Sequence, residues 1–381
     1  MRDVIVIGGG PAGLHAARRL AANGYDVEVL EEHMSAGVPV HCTGIVAPEV
    51  FDEFAVPRSS ILNELRRVRI HSPGGQVVQY LTERVEAVVV DRRLFDRSLR
   101  DLAAASGAQI SMGSRVTGVE TGEKSAVVRC AGGEERKARV CVLATGAAYA
   151  LHRDLGLGLP PLFLNCAQAE LPADLTPDVE IHTGYAIAPK GFAWLVPVRR
   201  SAGQHSRVGL MCEGNAGAYF EQLLLRLKRL DPQAAREVKP RLGILPLAPI
   251  RKTYGNRFLV AGDAAGLVKP TTGGGIFYGM ISADIAAAVL SEALRLDRLD
   301  EDRLSRYQDL WKSRLMEEIE AQLTLRLLMQ KLTDNEMEDI FDLWATDGLM
   351  PLIRKTVTFN HYRKVIAAVT RYPAMRKILF H

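Results

Sequence analysis

Four β-branched apolar residues, Val4, Ile5, Val6 and Ile7, stand together between Asp3 and Gly8. An unbroken apolar run of this length, ended by glycine, predicts a strand buried on both faces of a parallel sheet. The pattern then changes to a helical period, with Leu14, Ala17, Leu20 and Ala21 on one face. A second apolar run, Val27 to Leu30, ends in Glu31. Strand, helix and strand in this order predict a βαβ unit and an α/β fold. Residues 66 to 82 interrupt the rhythm. They alternate around Pro73-Gly74-Gly75 and predict a hairpin of Arg66–His71 and Gln76–Leu81. The rhythm resumes at Val88-Val89-Val90. A helix then opens at Arg92 and Arg93, with Leu94, Leu99, Leu102 and Ala103 as its core face. Val116 to Val119, Ala126 to Cys130 and Arg139 to Leu143 read as short strands. The last ends in the small residues Ala144-Thr145-Gly146-Ala147.

Between residues 160 and 215 prolines cluster and short apolar stretches replace helices, which predicts mixed antiparallel sheet. Phe192, Trp194 and Val196 alternate there and share one strand face, as core or as one wall of an apolar pocket. The α/β pattern returns with Phe258-Leu259-Val260, ending in Gly262-Asp263. Thr272-Gly273-Gly274-Gly275-Ile276 then leads into an apolar helix, Phe277 to Leu294. From Asp300 the chain is helical, with Tyr307, Trp311, Leu315 and Ile319 spaced four apart. The expected fold is therefore α/β, α+β overall. A nucleotide-binding domain spans 1-65, 83-150 and 246-300. A substrate domain with mixed or antiparallel sheet spans 66-82 and 151-245, and a helical region spans 301-381.

Gly8, Gly10 and Gly13 fit G-x-G-x-x-G between the first strand and helix. In a Rossmann-like unit the first allows a tight turn, the second lets backbone approach a pyrophosphate, and the third lets helix meet strand. Pro11 and Ala12 open the helix, whose free N–H groups and dipole attract phosphate. Glu31 lies at the ~20-residue spacing at which an acidic residue accepts from an adenosine ribose. Asp263 is placed to receive a hydrogen bond from a ligand hydroxyl. The glycines before Ile276 expose another helix N-terminus, suited to an electron-rich ring edge. The loop Gly37-Val38-Pro39-Val40-His41-Cys42-Thr43-Gly44 is either a turn with a half-buried thiol or a segment beside the cofactor. Adjacent residues on an extended chain point apart, so His41 is not expected to activate Cys42. Arg92 and Arg93 are either a solvated pair or held by an anion such as cofactor phosphate.

Of the 381 residues, 48% are apolar and 24% charged, and the net charge of +4 does not call for nucleic acid. Five scattered cysteines show no metal-ligand spacing, so a reducing compartment and no metal are expected. Met1 lies almost on the first strand, which leaves no room for a signal peptide. No run approaches the ~18–20 apolar residues of a membrane span. A cytoplasmic protein is expected. After Asp347 come seven Lys or Arg and no acidic residue, a basic surface helix or a patch that meets anionic lipid at the inner face of the membrane.

Three distant segments together resemble the geranylgeranyl reductase family, within the FAD monooxygenase-like flavoproteins. They are Gly8–Gly13 with Glu31, then Pro39-x-x-Cys42-x-Gly44, then Gly262-Asp263-Ala264-Ala265-Gly266 with Thr272-Gly273-Gly274-Gly275-Ile276. Asp91-Arg92-x-x-Phe95-Asp96 is also similar to that family. Phe192-x-Trp194-x-Val196-Pro197 resembles its Y-x-W-x-F-P motif with the first and last aromatics replaced. The resemblance covers roughly residues 1 to 330. It implies FAD as cofactor and reduction of isolated C=C bonds in a geranylgeranyl or polyprenyl chain on a lipid, pigment precursor or quinone. It implies that Arg92 contacts FAD and that Cys42 and Gly44 lie near the isoalloxazine. Asp263 would meet the ribityl-phosphate region, Gly275 and Ile276 the flavin ring, and the Val116 backbone the adenosine half, with Gly262 and Gly274 as further cofactor-binding positions. Hydride would pass from reduced flavin N5 to the alkene.

No second G-x-G-x-x-G is visible, so NAD(P)H without its own domain, or a small electron carrier, is the expected reductant. Cys42, His41 or water is the expected proton source. Two other readings remain on the same fold. One is an aromatic hydroxylase or halogenase. Against it, Ala144-Thr145-Gly146 stands where hydroxylases carry Asp-Gly, and Phe192 stands where halogenases carry tryptophan. The other is an electron-transferring flavoprotein. Against it, no cysteine follows Cys212 to form an iron–sulfur cluster.

Overall fold

The strand Arg2–Ile7 runs through the middle of an eight-stranded sheet. Along its main path the order is Tyr254–Gly255, Phe258–Val260, Glu135–Leu143, Arg2–Ile7, Val27–Leu30, Gln109–Ser111. Four of the five junctions are parallel, and the one between Tyr254–Gly255 and Phe258–Val260 is antiparallel. Val4, Ile5 and Val6 have no exposed surface, as a strand covered on both faces requires. The computed structural model describes residues 1–227, 230–346 and 359–380.

The helix Pro11–Ala22 buries Leu14, Ala17 and Leu20 on this sheet. It can lie so close because Gly13 has no side chain. A Cβ there would stand 2.0 Å from the Gly8 carbonyl oxygen. Glu135–Leu143 is longer than its apolar pattern indicated. Its polar first half pairs antiparallel with Ala126–Cys130, and its apolar second half joins the parallel core. In the helix Arg92–Ala105 the buried face is Phe95, Asp96, Leu99 and Ala103. Leu94, expected in the core, is 42% exposed. The face is set by Phe95, whose ring meets Phe51 edge-on at 6.1 Å.

A seven-stranded sheet has the order Arg241–Pro246, Phe163–Leu171, Gly203–Cys212, Phe192–Arg200, Val179–His182, Arg67–His71, Val77–Leu81. All its junctions are antiparallel except one, between Val179–His182 and Arg67–His71. A third sheet of Ile45–Val46, Ala87–Val90 and Ile61–Leu65 carries the chain between the other two. The sheets are tied by Arg207, 1% exposed, which donates through Nη1 to Thr43 O at 2.5 Å and Val90 O at 3.0 Å and through Nε to Glu170 Oε2 at 2.8 Å. Arg200 bridges the same Glu170 to Asp91, the N-cap of the helix Arg92–Ala105.

The helix Ile276–Arg295 is the exception to the expectation of no spanning run. Among the described residues it alone is long and apolar enough to cross a membrane, yet 67% of its apolar window is buried inside the protein. The helix Glu301–Met329 packs Tyr307, Trp311, Leu315 and Ile319 against the core. Tyr307 Oη donates to Val260 O at 2.8 Å and Trp311 Nε1 to Thr253 Oγ1 at 2.9 Å. Asp334–Thr346, Arg363–Arg371 and Pro373–Leu379 complete the helical end. Of the C-terminal basic residues, Arg354 and Lys355 lie outside the described residues.

Candidate active site

Glycine turns far apart in sequence meet at one end of the central sheet. Gly8, at φ +109°, touches the Ala144 turn, and a Cβ there would stand 2.2 Å from Ala144 O. Gly262, at φ +66°, touches Ala12 of the first helix, and its Cβ would stand 3.0 Å from the Ala12 methyl. A Cβ on Gly275 would stand 2.3 Å from Asp263 Oδ1. Around a Cβ on Gly10, by contrast, nothing lies within 4 Å. That open backbone beside a helix N-terminus is the space a pyrophosphate needs. Gly13 does not face this space, and its part is the helix–strand packing above. Glu31 stands at the mouth of the first turn, its Oε2 accepting from Gly9 N at 2.6 Å and its Oε1 from His33 N at 2.9 Å.

Gly8, Gly10, Pro11, Ala12, Glu31, Val116, Gly262, Asp263, Gly274, Gly275 and Ile276 line a single cavity of about 1230 Å³. Typical small-molecule pockets are ~300–1,000 Å³. The space beyond the glycine cradle continues as an apolar channel. Val68, Ile70, Val78, Ile181, Phe192 and Trp194 form its sheet side. Phe192 and Trp194 meet edge-on at 5.9 Å, and the Trp194 indole lies over Gly209. The opposite side comes from the C-terminal helices: Met329, Ile340, Trp344, Tyr362, Val365 and Val369. The sequence reading missed this wall. Its signal was the apolar stripe of Val365, Ile366 and Val369 on a helix assigned to the surface.

Cys42 and Arg92 also line the cavity. Arg92 is paired within its own helix. Nε and Nη2 donate to the two Asp96 carboxylate oxygens at 3.0 and 2.7 Å, and the guanidinium also contacts the Cys42 thiol. Burial opposes the Arg92 charge, but Asp96 and Cys42 outweigh it and raise its pKa. Gly44 N donates to Cys42 Sγ at 3.3 Å. Gly44 itself, at φ +71°, lets Arg207 and the Val90 carbonyl pack close. A Cβ would stand 2.8 Å from each. Burial lowers the His41 pKa, with Arg241 and Arg92 adding to the shift, which leaves a neutral imidazole beside Cys42. Burial pushes Asp263 up to about 6 against the opposing charge of Arg92, and its carboxylate bonds to no described residue.

A space shaped this way, phosphate cradle at one end and apolar channel at the other, defines an FAD-dependent oxidoreductase. Residues 2–162 match the pyridine nucleotide-disulphide oxidoreductase family, and residues 215–345 match the lycopene cyclase protein family. The chain is 30% identical to the digeranylgeranylglycerophospholipid reductase of Methanocaldococcus jannaschii, over 93% of this chain and 95% of that one. The crystal structure of a geranylgeranyl bacteriochlorophyll reductase-like protein from Thermoplasma acidophilum has a TM-score of 0.84 at 24% identity, covering 99% of this chain and 98% of that one. A halogenase in complex with FAD shares the fold at a TM-score of 0.64 and 16% identity, over 98% of this chain and 87% of that one. The chain belongs to the geranylgeranyl reductase family.

Proposed function

We propose that this enzyme reduces isolated C=C bonds in a geranylgeranyl or related polyprenyl chain attached to a polar lipid. The observation that carries the reading is the continuity of the cavity, which joins the glycine cradle to a channel walled by Ile70, Ile181, Trp194, Met329, Trp344 and Val365. The cradle of Gly8, Gly10, Gly262 and Gly275 would hold FAD, which when reduced would supply the hydride for one alkene carbon. The chain's own residues do the rest. An isolated alkene has no carbonyl to polarise, so the protein acts by placing the double bond against the cofactor and excluding water. Each CH₂ buried in the channel contributes ~0.8 kcal/mol of binding. Gly8, Gly10, Pro11, Ala12, Glu31 and Val116 hold the adenosine and pyrophosphate half. Gly262, Asp263, Gly274, Gly275 and Ile276 hold the flavin half. Cys42, which lines the same cavity against the Arg92 guanidinium, would give its thiol proton to the second alkene carbon and leave a thiolate that the guanidinium stabilises.

Electrons reach the site from NAD(P)H bound transiently or from a small carrier, since the sequence has no second dinucleotide fingerprint. A lipid substrate has to be drawn from a bilayer. The helices that close the channel carry Arg363, Lys364, Arg371, Arg376 and Lys377, all exposed. Such residues attract anionic headgroups by ~1 kcal/mol each. This supports a peripheral contact through the C-terminal helices.

The test is to reduce the purified protein anaerobically with dithionite and offer geranylgeranyl lipids, menaquinone and a prenylated pigment. Reoxidation with mass gain in hydrogen pairs supports the proposal, and inertness toward all three removes it. Cys42→Ala is expected to retain FAD and to lose most of the prenyl-reduction rate. An unchanged rate takes Cys42 out of the mechanism.

A further inference from the structure

Val68, Ile70, Val179 and Ile181 turn toward the channel, so the residues between them face the other side of the sheet. On that far face stand His71, Glu180 and His182. They meet at the one parallel junction of the seven-stranded sheet, where His71 lies directly opposite His182 and Glu180 is two residues before it. The two imidazoles stack at 4.2 Å and 12°. Both turn Nε2 toward the same oxygen, Glu180 Oε2, His182 at 3.2 Å and His71 at 3.6 Å. Only the first is a hydrogen bond. His71 Nε2 is buried with no hydrogen-bond partner among the described residues. The other carboxylate oxygen is already occupied, for Glu180 Oε1 accepts from Arg69 and from Thr176 Oγ1 at 2.9 Å.

One oxygen faces two ring nitrogens, one of them unpartnered. The stacked rings hold their lone pairs parallel, so joint ligation requires the His71 ring to turn about its Cβ–Cγ bond until both Nε2 atoms converge. Zinc bonds of ~2.1 Å at the tetrahedral angle place ligand atoms ~3.4 Å apart. The observed 3.2 and 3.6 Å bracket that value, and all three ligand atoms lie within 4.8 Å of one another. We propose that His71 Nε2, His182 Nε2 and Glu180 Oε2 bind a divalent transition metal of the zinc class, with water completing the shell. Two imidazoles and a carboxylate suit such borderline ions and not calcium or magnesium. Arg69 and Thr176 act as outer-shell partners that orient the carboxylate. Among the described residues, the edge hairpin containing His71 joins the sheet only through this junction. The metal therefore clips the hairpin to the sheet, directly behind the channel wall at Ile70 and Ile181.

The test uses the FAD-loaded full chain, stripped with a chelator and titrated with Zn²⁺ under equilibrium dialysis. Bound zinc is counted by mass spectrometry and located by anomalous diffraction. One zinc per chain is expected between these three residues. His71→Ala and His182→Ala are each expected to weaken binding at least ~10-fold, the lower bound for disturbing even an outer shell. Retained flavin absorbance shows that the variants fold. Glu180→Gln, which keeps the shape of the side chain, is the third variant and is expected to lose zinc alike. No zinc uptake by the wild-type protein overturns the proposal. So does zinc held equally well by all three variants, which would place it elsewhere, as at Cys42.

Discussion

Asp263→Asn is expected to make the cofactor-free protein more stable and its hold on FAD weaker. Burial raises the Asp263 carboxyl from 3.8 to about 6. Between those values the folded chain keeps a proton that the unfolded chain has released. The stability of the cofactor-free protein therefore falls as pH rises through this window, and the full cost is present above about pH 6. Two pH units correspond to about 3 kcal/mol at ~1.36 kcal/mol each. Asparagine carries no charge at any pH. The cofactor-free variant should exceed the wild type by about 3 kcal/mol at neutral pH and match it below the window. With FAD bound the sign reverses. A hydroxyl donating to a carboxylate is worth ~1.5–3 kcal/mol, so its loss should raise the FAD dissociation constant roughly 10- to 100-fold. Urea unfolding of the cofactor-free proteins from pH 4 to pH 8, at ~0.5-unit steps, measures the first effect, and fluorescence titration with FAD the second. A variant less stable than wild type at neutral pH refutes the burial argument. An unchanged FAD affinity refutes the assignment of Asp263 to the cofactor.

Gly209→Ala puts a methyl 2.5 Å from Trp194 Cζ2 and pushes the indole into the channel. Overpacking of this kind costs ~1–3 kcal/mol. KM for the prenyl substrate should rise while FAD affinity stays constant, and a flavin titration beside steady-state kinetics separates the two. Arg207→Met removes a buried guanidinium from Glu170 and from the Thr43 and Val90 carbonyls, at a cost of ~3–5 kcal/mol. Burial would raise the Glu170 carboxyl, but hydrogen bonds from Arg200 and Arg207 outweigh it and hold the group at about 2. The stability it contributes is present above its ordinary value of 4.5 and is lost as pH falls toward about 2. The variant should therefore unfold at a higher pH on acid titration, followed by circular dichroism. An unmoved acid transition counts against the pairing.

The local physics of the glycine turns is legible in the chain itself. Val4 to Ile7 had to be a buried strand because nothing in it can face water. Gly8 and Gly13 follow from close contacts that only glycine permits, and Gly10 leaves open backbone at the helix N-terminus. The period of four in Tyr307, Trp311, Leu315 and Ile319 likewise marks a buried helix face. The channel is another matter. Trp344 and Val365 read as ordinary helix residues, because a helix pattern shows that a face is apolar and not what covers it. Leu94 shows the same limit, since its exposure depends on which residue of the helix meets Phe51. For Arg92 the chain left a solvated pair and an anionic partner both open, and packing pairs it with Asp96 one turn along while it lines the cavity. His71 and Glu180 stand far apart in the chain and carry no shared spacing, and only strand pairing brings them side by side. Sequence spacing encodes neighbours along one strand or helix. Contacts between elements depend on register and packing, which are settled only when the sheets and helices close around the same cavity.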